Sequence, residues 1–316
     1  MINVHIIPAK QLLYQPTKDF YGKRLTLVFG NEFSGGKCTF YQEQCFHCDI
    51  GAGEGVRFTP EMNKKRLDFF KDYYGSVLPD VVHLLIYNSG NVLNPGEMSP
   101  ETMRHVLDYA ASLQNCKVIS VDSREGFINY RNLERLVVGI RHDQTPRVVL
   151  GIESQDDLIR IGKLNKRITR EAIERAFKVL GTYKGRIGID INIVFQPPEI
   201  VGEEAIREAV ATTQYGLQLS QKFGVPVDFN PCTYYPSLIS RTKFPNHPRA
   251  NLEDTIDALA RMREVIDSRS PTSILFLGWN DEGHDQSHTE RRDEESQYRT
   301  LTDRFNETQD VKILRR

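Results

Sequence analysis

Short apolar runs alternate along this sequence with longer stretches in which apolar residues recur every three or four positions. The runs predict β-strands and the longer stretches predict helices, so the pattern indicates strand–helix units around a mostly parallel sheet. We predict six such units from about residue 24 onward, with a further strand at Ser273–Leu277. The six predicted strands are Arg24–Phe29, Val82–Tyr87, Lys117–Asp122, Arg147–Ile152, Gly188–Phe195 and Val225–Asn230.

The predicted helices have recognisable ends. Thr59-Pro60 and Ser99-Pro100 each place a hydroxyl N-cap before a proline that suits the first helical position. Gly181 and Gly224 follow apolar stripes and predict the C-terminal ends of two later helices. Because no linker rich in Pro, Gly or Ser interrupts the alternation, we expect a single α/β domain.

One face of the last two predicted strands is polar. A parallel strand that is buried on both faces is a continuous apolar run. Here Asp190 and Asn192 alternate with isoleucines, and Asp228, Asn230 and Cys232 alternate with apolar residues. A closed eight-stranded barrel fills its interior with apolar side chains, so the pattern favours an incomplete barrel whose lumen holds a polar ligand.

Composition narrows the class of protein. The 316 residues are 39% hydrophobic and 26% charged with a formal net charge of −1, which is typical of a globular protein and argues against a nucleic-acid coat. No apolar run has the length of a membrane span, and the first eight residues lack the pattern of a secretory signal. We therefore expect a cytoplasmic protein without a membrane partner. We place the barrel at residues 1–280 and a charged C-terminal extension or cap at residues 281–316.

Three of the five cysteines lie together after the first predicted strand, namely Cys38, Cys45 and Cys48. An odd number of cysteines in a reducing compartment argues against a disulfide framework, and the carboxyl end of a barrel strand is the usual catalytic face. Three thiolates bind a structural zinc if a fourth ligand such as His47 helps, or they hold three irons of an iron–sulfur cubane and leave the fourth iron open. Unligated cysteines are the third alternative.

The spacing C-x6-C-x2-C resembles the radical S-adenosylmethionine (radical SAM) superfamily, whose usual pattern is C-x3-C-x-aromatic-C. The resemblance implies an α/β fold, a partial (β/α)6 TIM-like barrel with a cluster-binding loop after its first strand. It also implies a 4Fe–4S cluster on the three cysteines and S-adenosylmethionine (SAM) as the second cofactor. The first gap is wider than usual, and His47 takes the position of the aromatic residue whose ring lies near the adenine.

The resemblance continues at the ends of later strands. It implies contacts to the amino group, the ribose and the carboxylate of SAM. Two of these residues have a purely structural alternative: Arg124 could pair with a neighbouring acidic side chain, and Glu153 could be a surface carboxylate at the end of a strand. The implied contacts are Asn88, Ser89 and Gly90 for the amino group, Asp122 and Glu153 for the ribose, and Lys166 with Arg124 for the carboxylate.

The order of the motifs is most similar to the radical SAM subunits of archaeosine synthases and their uncharacterised bacterial relatives. Phe195-Gln196-Pro197-Pro198 and Phe229-Asn230-Pro231 contribute to this similarity. It implies a tRNA base or nucleoside as the substrate. Residues 278–284 depart from the pattern of those subunits, which keeps a small natural product or a carbohydrate as an alternative substrate.

The polar strand faces supply candidates for substrate recognition. Cys232 is a candidate hydrogen donor to a substrate radical, although a free cysteine is more often a small buried hydrophobe. The candidate substrate contacts are Asp190, Asn192, Asp228 and Asn230.

Two further groups have a weaker pattern. His284 and His288 have the i, i+4 spacing of a metal pair but no defined third ligand. A basic group is a candidate RNA contact, although such groups are usually solvated faces. Its members are Lys163, Lys166, Arg167 and Arg170.

The sequence thus predicts an enzyme that cleaves SAM reductively and uses a 5′-deoxyadenosyl radical to modify a polar substrate. Such a reaction consumes an electron, so we expect a flavodoxin or ferredoxin as the electron donor. The competing hypothesis is a non-catalytic, zinc-binding interaction protein.

Overall fold

A seven-stranded sheet organises the structure, a computed structural model that describes residues 6–12, 19–41, 45–48, 55–234, 238–248, 250–277 and 292–315. The strands lie in the sheet in chain order. The first is antiparallel to the second, and the remaining pairs are all parallel. The strands are β1 (Ile6–Leu12), β2 (Asp19–Phe29), β3 (Val81–Asn88), β4 (Val118–Ser123), β5 (Thr145–Glu153), β6 (Gly188–Phe195) and β7 (Val227–Thr233).

The six parallel strands β2 to β7 form a curled half-barrel, which confirms the predicted α/β partial TIM-like barrel. Each predicted strand coincides with an observed one, although β2 begins five residues earlier, at Asp19. The predicted strand at Ser273–Leu277 is reduced to a single parallel bridge between Phe229 and Leu275. The antiparallel strand β1 was not predicted.

Helices cover the outer face of the sheet. The caps confirm the predicted helix starts, because Thr59 Oγ1 accepts a hydrogen bond from Met62 N and Ser99 Oγ accepts one from Thr102 N. Gly224 ends a long helix at a φ of +67°. The helices are α1 (Pro60–Tyr73), α2 (Pro100–Ser112), α3 (Tyr130–Val138), α4 (Arg170–Gly181), α5 (Gly202–Phe223), α6 (Leu238–Lys243), α7 (Leu252–Arg269) and α8 (Arg292–Thr308).

The apolar strand faces point outward and the polar faces point into the lumen, as the alternation predicts. Helix α5 packs tightly on the outer face, since a Cβ on Gly216 would lie 2.7 Å from atoms of both Ile191 and Phe229. On the inner face, Arg24 of β2 donates a hydrogen bond across the barrel to Asn230 of β7 at 3.5 Å. The two ends of the parallel sheet therefore curl toward each other around a polar interior.

The described part of the C-terminal extension packs against Leu275 and Leu277, in the segment that lies beside β7. Asn306 in α8 exchanges hydrogen bonds with the backbone of Leu277, and Gln309 does the same with Leu275. These side-chain amides take the place of a neighbouring strand, and Phe305, next to Asn306 in the chain, is fully buried. His284 and His288 lie outside the described residues. None of the described helices is long and apolar enough to cross a membrane.

Candidate functional site

The three clustered cysteines lie on a loop that leaves the carboxyl end of β2, and we call residues 30–48 the cysteine loop. Cys38, Cys45 and Cys48, the loop cysteines, are half-buried and form no disulfide. Phe40 N donates a hydrogen bond to Cys38 Sγ at 3.4 Å. Burial raises the pKa of the Cys38 thiol, and the nearby carboxylate of Glu97 raises it further.

Hydrogen bonds tie the cysteine loop to the carboxyl ends of the barrel strands. Ser89 Oγ, directly after β3, donates to Gly36 O at 2.9 Å. Thr39 N donates to Glu97 Oε1 at 2.6 Å, and Phe46 N donates to the carbonyl of Leu164 at 3.0 Å. The loop is thus held on both sides of the lumen mouth, next to the residues that the sequence predicts for SAM.

Gly90 lies in a narrow cradle beneath the cysteine loop. A Cβ at this position would lie 2.6 Å from both Asn31 Nδ2 and Glu97 Oε1. Asn31 Nδ2 is buried without a hydrogen-bond partner, whereas Glu97 accepts bonds from Asn91 N and Nδ2. The predicted neighbour Asn88 has a local role, since its Oδ1 accepts a bond from Gly90 N at 2.6 Å. The carboxylate of Glu97 and the unsatisfied Nδ2 of Asn31 are therefore both close to Gly90, where the resemblance implies the amino group of SAM.

Sequence reasoning did not identify Asn31 or Glu97. Asn31 is the second residue after β2, at the end of a barrel strand where functional side chains concentrate, and this position was an available signal. Glu97 has no comparable signal, because it lies nine residues beyond β3 and reaches the site only through the turn that precedes α2.

Glu153 and Lys166 form a buried ion pair at the end of β5. Burial alone would raise the pKa of Glu153, but Lys166 and then His47 lower it to about 2. Glu153 in turn raises the pKa of Lys166, against the effect of burial. His47 Nε2 lies 3.6 Å from Glu153 Oε1, while His47 Nδ1 is buried without a hydrogen-bond partner. Glu153 and Lys166 are therefore both charged at neutral pH.

Gly151 leaves the space that this pair occupies. A Cβ on Gly151 would lie 2.1 Å from Lys166 Nζ and 2.2 Å from Glu153 Oε1. Glu153 has a φ of +67°, so the backbone leaves the strand in a left-handed conformation, and the Glu153 carboxylate contacts Lys166 Nζ.

Arg124 lies between the cysteine loop and the loop that carries Lys166. Its guanidinium donates to Lys166 O at 2.5 Å and lies 3.8 Å from Cys45 Sγ. The same group stacks over the ring of Phe40 at 4.0 Å, and Glu125 Oε2 lies 3.5 Å from Arg124 Nε. The Arg124 side chain thus links Cys45 to the backbone of Lys166, and Cys45 is close enough to Lys166 to raise the pKa of its side chain.

The upper part of the lumen holds half-buried polar side chains. Asp122 in β4 faces the lumen, because Ser120 on the same strand face contacts lumen residues. Asn230 Nδ2 donates to Asn192 Oδ1 at 3.3 Å. Cys232 follows on the same face of β7, opposite Val194. Asn192, Asn230 and Cys232 thus lie on neighbouring strands, and the roles of all four candidates toward SAM or a substrate stay predictions.

The floor of the lumen is a buried ionic network. Arg147 pairs with Asp190 and, at 2.9 Å, with Asp228. Asp190 also accepts a hydrogen bond from Ser120 Oγ at 2.7 Å. Ser120 Oγ in turn contacts His83 Nε2. Burial and the neighbouring Asp190 raise the pKa of Asp228 to about 6 despite Arg147. The two aspartates thus have structural partners, and their predicted contact with a substrate stays a prediction.

The basic group predicted as an RNA contact is largely paired within the protein. Lys163 binds Glu199 at 2.6 Å, and Arg170 binds the side chain of Gln155 at 2.6 Å. Lys166 is buried against Glu153. Arg167 is exposed next to Asn165, so an RNA contact at this group would depend mainly on Arg167.

The residues of the site fit a cluster with SAM better than a single zinc ion. Within the described ranges, no group of three or more His, Cys, Asp or Glu side chains is arranged to hold one metal ion. A cubane requires the thiolates to converge on one cluster but not on one ion, because each thiolate binds a different iron. The unpartnered Asn31 Nδ2 and His47 Nδ1 and the cradle at Gly90 leave polar positions beside the thiols for a second ligand.

No protein-family profile matches the chain. It is 26% identical over 207 residues to an uncharacterized protein of Methanocaldococcus jannaschii, covering 64% of this chain and 54% of that protein. It is 22% identical over 160 residues to the archaeosine synthase subunit beta of Thermococcus kodakarensis, covering 50% of this chain and 48% of that subunit. The chain thus spans about half the length of the curated relatives it matches.

A solved structure with a TM-score above 0.5 shares the fold, and a second superposes less well. SuiB from Streptococcus suis, crystallised with SAM, superposes with a TM-score of 0.53 at 12% identity over 80% of this chain and 50% of SuiB. The radical SAM methyltransferase TsrM from Kitasatospora setae gives a TM-score of 0.40 at 12% identity over 65% of this chain and 35% of TsrM. The partial barrel and the sequence similarities together confirm the resemblance of this chain to the radical SAM enzymes.

Proposed function

We propose that this protein binds a 4Fe–4S cluster at Cys38, Cys45 and Cys48 and cleaves SAM reductively to modify a polar substrate. The observation that carries the proposal is the loop of three cysteines, none in a disulfide, that hydrogen bonds tie to the segments containing Gly90 and Lys166. When bound, the cluster would supply the electron that breaks a carbon–sulfur bond of SAM and yields a 5′-deoxyadenosyl radical.

The side chains of this chain would bind and orient SAM. The carboxylate of Glu97, at the Gly90 cradle, would accept a hydrogen bond from its amino group, whereas the unsatisfied Nδ2 of Asn31 is a donor and would suit an acceptor atom of SAM. Lys166 and Arg124 are cations within reach of its carboxylate, and Asp122 faces the lumen where the ribose would lie. The imidazole of His47 would offer the adenine a flat surface and an unsatisfied Nδ1.

The charges in the lumen favour a substrate group that is polar and neutral. Among the described residues of the floor, the guanidiniums of Arg24 and Arg147 balance the carboxylates of Asp190 and Asp228. Burial and the nearby Arg24 lower the pKa of His83 to about 3, so this residue is neutral. An anionic or cationic group deep in the lumen would therefore find no uncompensated partner among them, at a high desolvation cost.

Above this floor, paired amides face the lumen. The amides of Asn192 and Asn230 each carry hydrogen-bond donors and acceptors, which suit the edge of a neutral base. Together with the similarity to an archaeosine synthase subunit, this favours a tRNA base or nucleoside over a natural product or a carbohydrate. A phosphate backbone would stay outside the lumen.

Anaerobic reconstitution with iron and sulfide tests the proposal. We expect the absorption of an iron–sulfur cluster, about four irons per chain, and formation of 5′-deoxyadenosine and methionine after addition of SAM and dithionite. Bound zinc without iron–sulfide absorption would instead support the zinc-binding interaction protein. A nucleoside or an unmodified tRNA that accelerates formation of 5′-deoxyadenosine would identify the substrate class.

A further inference from the structure

An apolar stripe is exposed along helix α1. Met62 is 37% exposed, Phe69 is 45% exposed and Tyr73 is 66% exposed. At about 100° of rotation per residue, these three side chains lie within about 40° of one another on the helix surface. The rings of Phe69 and Tyr73 are stacked, with their centres 5.5 Å apart. We call Met62, Phe69 and Tyr73 the α1 stripe.

The α1 stripe lies on the flank of α1 that is turned away from α2. Lys71, about 180° around the helix from Met62, approaches Tyr109 in α2, with its Nζ 5.4 Å from the centre of the ring. On the other side, the described chain before β2 contains β1 and no strand–helix unit. Helix α8 contacts β1 but leaves the α1 stripe exposed. The open edge of the barrel therefore leaves this flank of its first helix uncovered.

The composition and the support of the α1 stripe favour a protein partner. The buried centres of protein interfaces are enriched in aromatic residues and methionine. Phe69 is anchored on the core, because its ring centre lies 6.3 Å from that of the fully buried Phe70. A partner would therefore meet a surface that is already ordered, which lowers the entropy cost of binding.

The charges beside the α1 stripe suit a second copy of this chain. Lys65 and Asp72 are both exposed and lie about 20° apart around the helix, on the outward side of the stripe. When two α1 helices pack antiparallel about a twofold axis midway along the stripe, Met62 of one copy lies opposite Tyr73 of the other. Lys65 then comes within roughly 3 Å, measured along the helix axis, of the level of Asp72 of the second copy. Symmetry repeats this pair, so the surface is self-complementary, as a twofold interface requires.

From this arrangement we propose that the α1 stripe is the contact of a homodimer in which two α1 helices pack antiparallel. The inference does not depend on the proposed function, because the α1 stripe lies on the outer surface of the barrel. A helix of 14 residues is about 21 Å long, so two of them bury less than the roughly 800 Å² per partner of a standard interface. We therefore expect a dissociation constant in about the micromolar range.

Sedimentation velocity of the full chain over about 1–300 µM tests the proposal, with a reductant to keep the loop cysteines from cross-linking. The wild type should shift with concentration from the mass of one chain toward the mass of two. Phe69→Glu should raise the dissociation constant at least about tenfold, because it places a charge in the apolar contact. Val138→Glu, a matched control at an apolar residue of α3 that is 79% exposed, should leave the dissociation constant unchanged.

Charge reversal tests the antiparallel alignment. At low salt, Lys65→Glu and Asp72→Lys should each weaken the dimer at least about threefold, and the double variant Lys65→Glu/Asp72→Lys should restore an affinity near that of the wild type. A wild type that stays monomeric at the highest concentration would overturn the proposal, and so would a dimer that Phe69→Glu leaves intact. A double variant no tighter than the single variants would show that the helices do not pair in this alignment, which also overturns it.

Discussion

Replacing Lys166 by alanine removes the cation of a buried ion pair and a proposed contact to SAM at the same time. The side chains of Lys166 and Glu153 are 11% and 6% exposed, so the carboxylate left behind in the variant has little access to water. Leaving a buried charge without its partner costs about 3–5 kcal/mol. We expect Lys166→Ala to lose about that much free energy of unfolding at pH 7, a large fraction of the stability of a typical domain.

The effect on SAM is a separate quantity. A charge-assisted hydrogen bond contributes about 1.5–3 kcal/mol, so losing the contact of Lys166 to the carboxylate should weaken SAM binding about ten- to a hundredfold. The double variant Lys166→Ala/Glu153→Gln separates the two effects. A neutral amide at position 153 removes the uncompensated charge and should restore most of the stability, but it cannot restore the contact to SAM.

The pH dependence has a definite sign. Because Lys166 and His47 hold the pKa of Glu153 at about 2, the ion pair contributes stability above the pKa of an unfolded glutamate. That contribution is lost as pH falls from roughly 4.5 toward 2. In Lys166→Ala the burial of Glu153 raises the pKa of its carboxyl group instead. Protonation of Glu153 therefore removes the cost of the unpaired buried charge as pH falls. The difference in stability between wild type and variant should therefore be largest near pH 7 and narrow in acid.

Urea unfolding at several pH values measures the stability difference, and anaerobic calorimetric titration of the reconstituted protein with SAM measures the affinity. A double variant as unstable as Lys166→Ala would refute the assignment of the cost to an unpaired Glu153. Unchanged SAM affinity in Lys166→Ala would instead move the carboxylate contact elsewhere, with Arg124 as the next candidate.

Other changes test the cluster ligands, the cradle and the lumen. Alanine at any loop cysteine should abolish cluster absorption and SAM cleavage, whereas Cys116→Ala, at a buried site beside the start of β4, should leave both intact; equal loss in all variants would contradict the ligand assignment. Gly90→Ala places a methyl group 2.6 Å from Asn31 and Glu97 and should weaken SAM binding at least about tenfold by titration, while Gly96→Ala, with 3.4 Å to its nearest neighbour, should not. Asn230→Ala should retain the cluster and slow, uncoupled formation of 5′-deoxyadenosine but lose substrate turnover, and wild-type turnover would remove this amide from substrate recognition.

The barrel follows from the sequence because its signals are local. Caps and glycines in the sequence mark where helices begin and end, as at Thr59 and Gly224. The alternation of Asp190 with isoleucines also fixed which strand face points inward. β1 lacks such a signal, since Pro8 interrupts a short run and an antiparallel edge strand needs no helix after it.

The site could be predicted only where chemistry and position coincide in the sequence. The loop cysteines and Lys166 carry reactive groups in the loops that follow β2 and β5, and Arg124 contacts both Cys45 Sγ and Lys166 O. The ionic floor could not be derived, because it depends on Arg147 reaching Asp190 and Asp228 across two neighbouring strands. The sequence predicts Asp190 and Asp228 as substrate contacts, but in the structure both carboxylates pair with the buried Arg147.

The contacts of the cysteine loop couple the two proposed cofactors. Arg124 approaches Cys45 and donates to the carbonyl of Lys166, and Thr39, beside Cys38, donates to Glu97 at the Gly90 cradle. Residues proposed to bind SAM therefore also hold the loop that carries the cluster ligands. Because linkage between two binding events is reciprocal, whatever free energy SAM gains from an ordered loop must also stabilise the cluster against loss. SAM should thus slow the release of iron from the reconstituted protein to a chelator, and it should do so less in Gly90→Ala, whose cradle is filled.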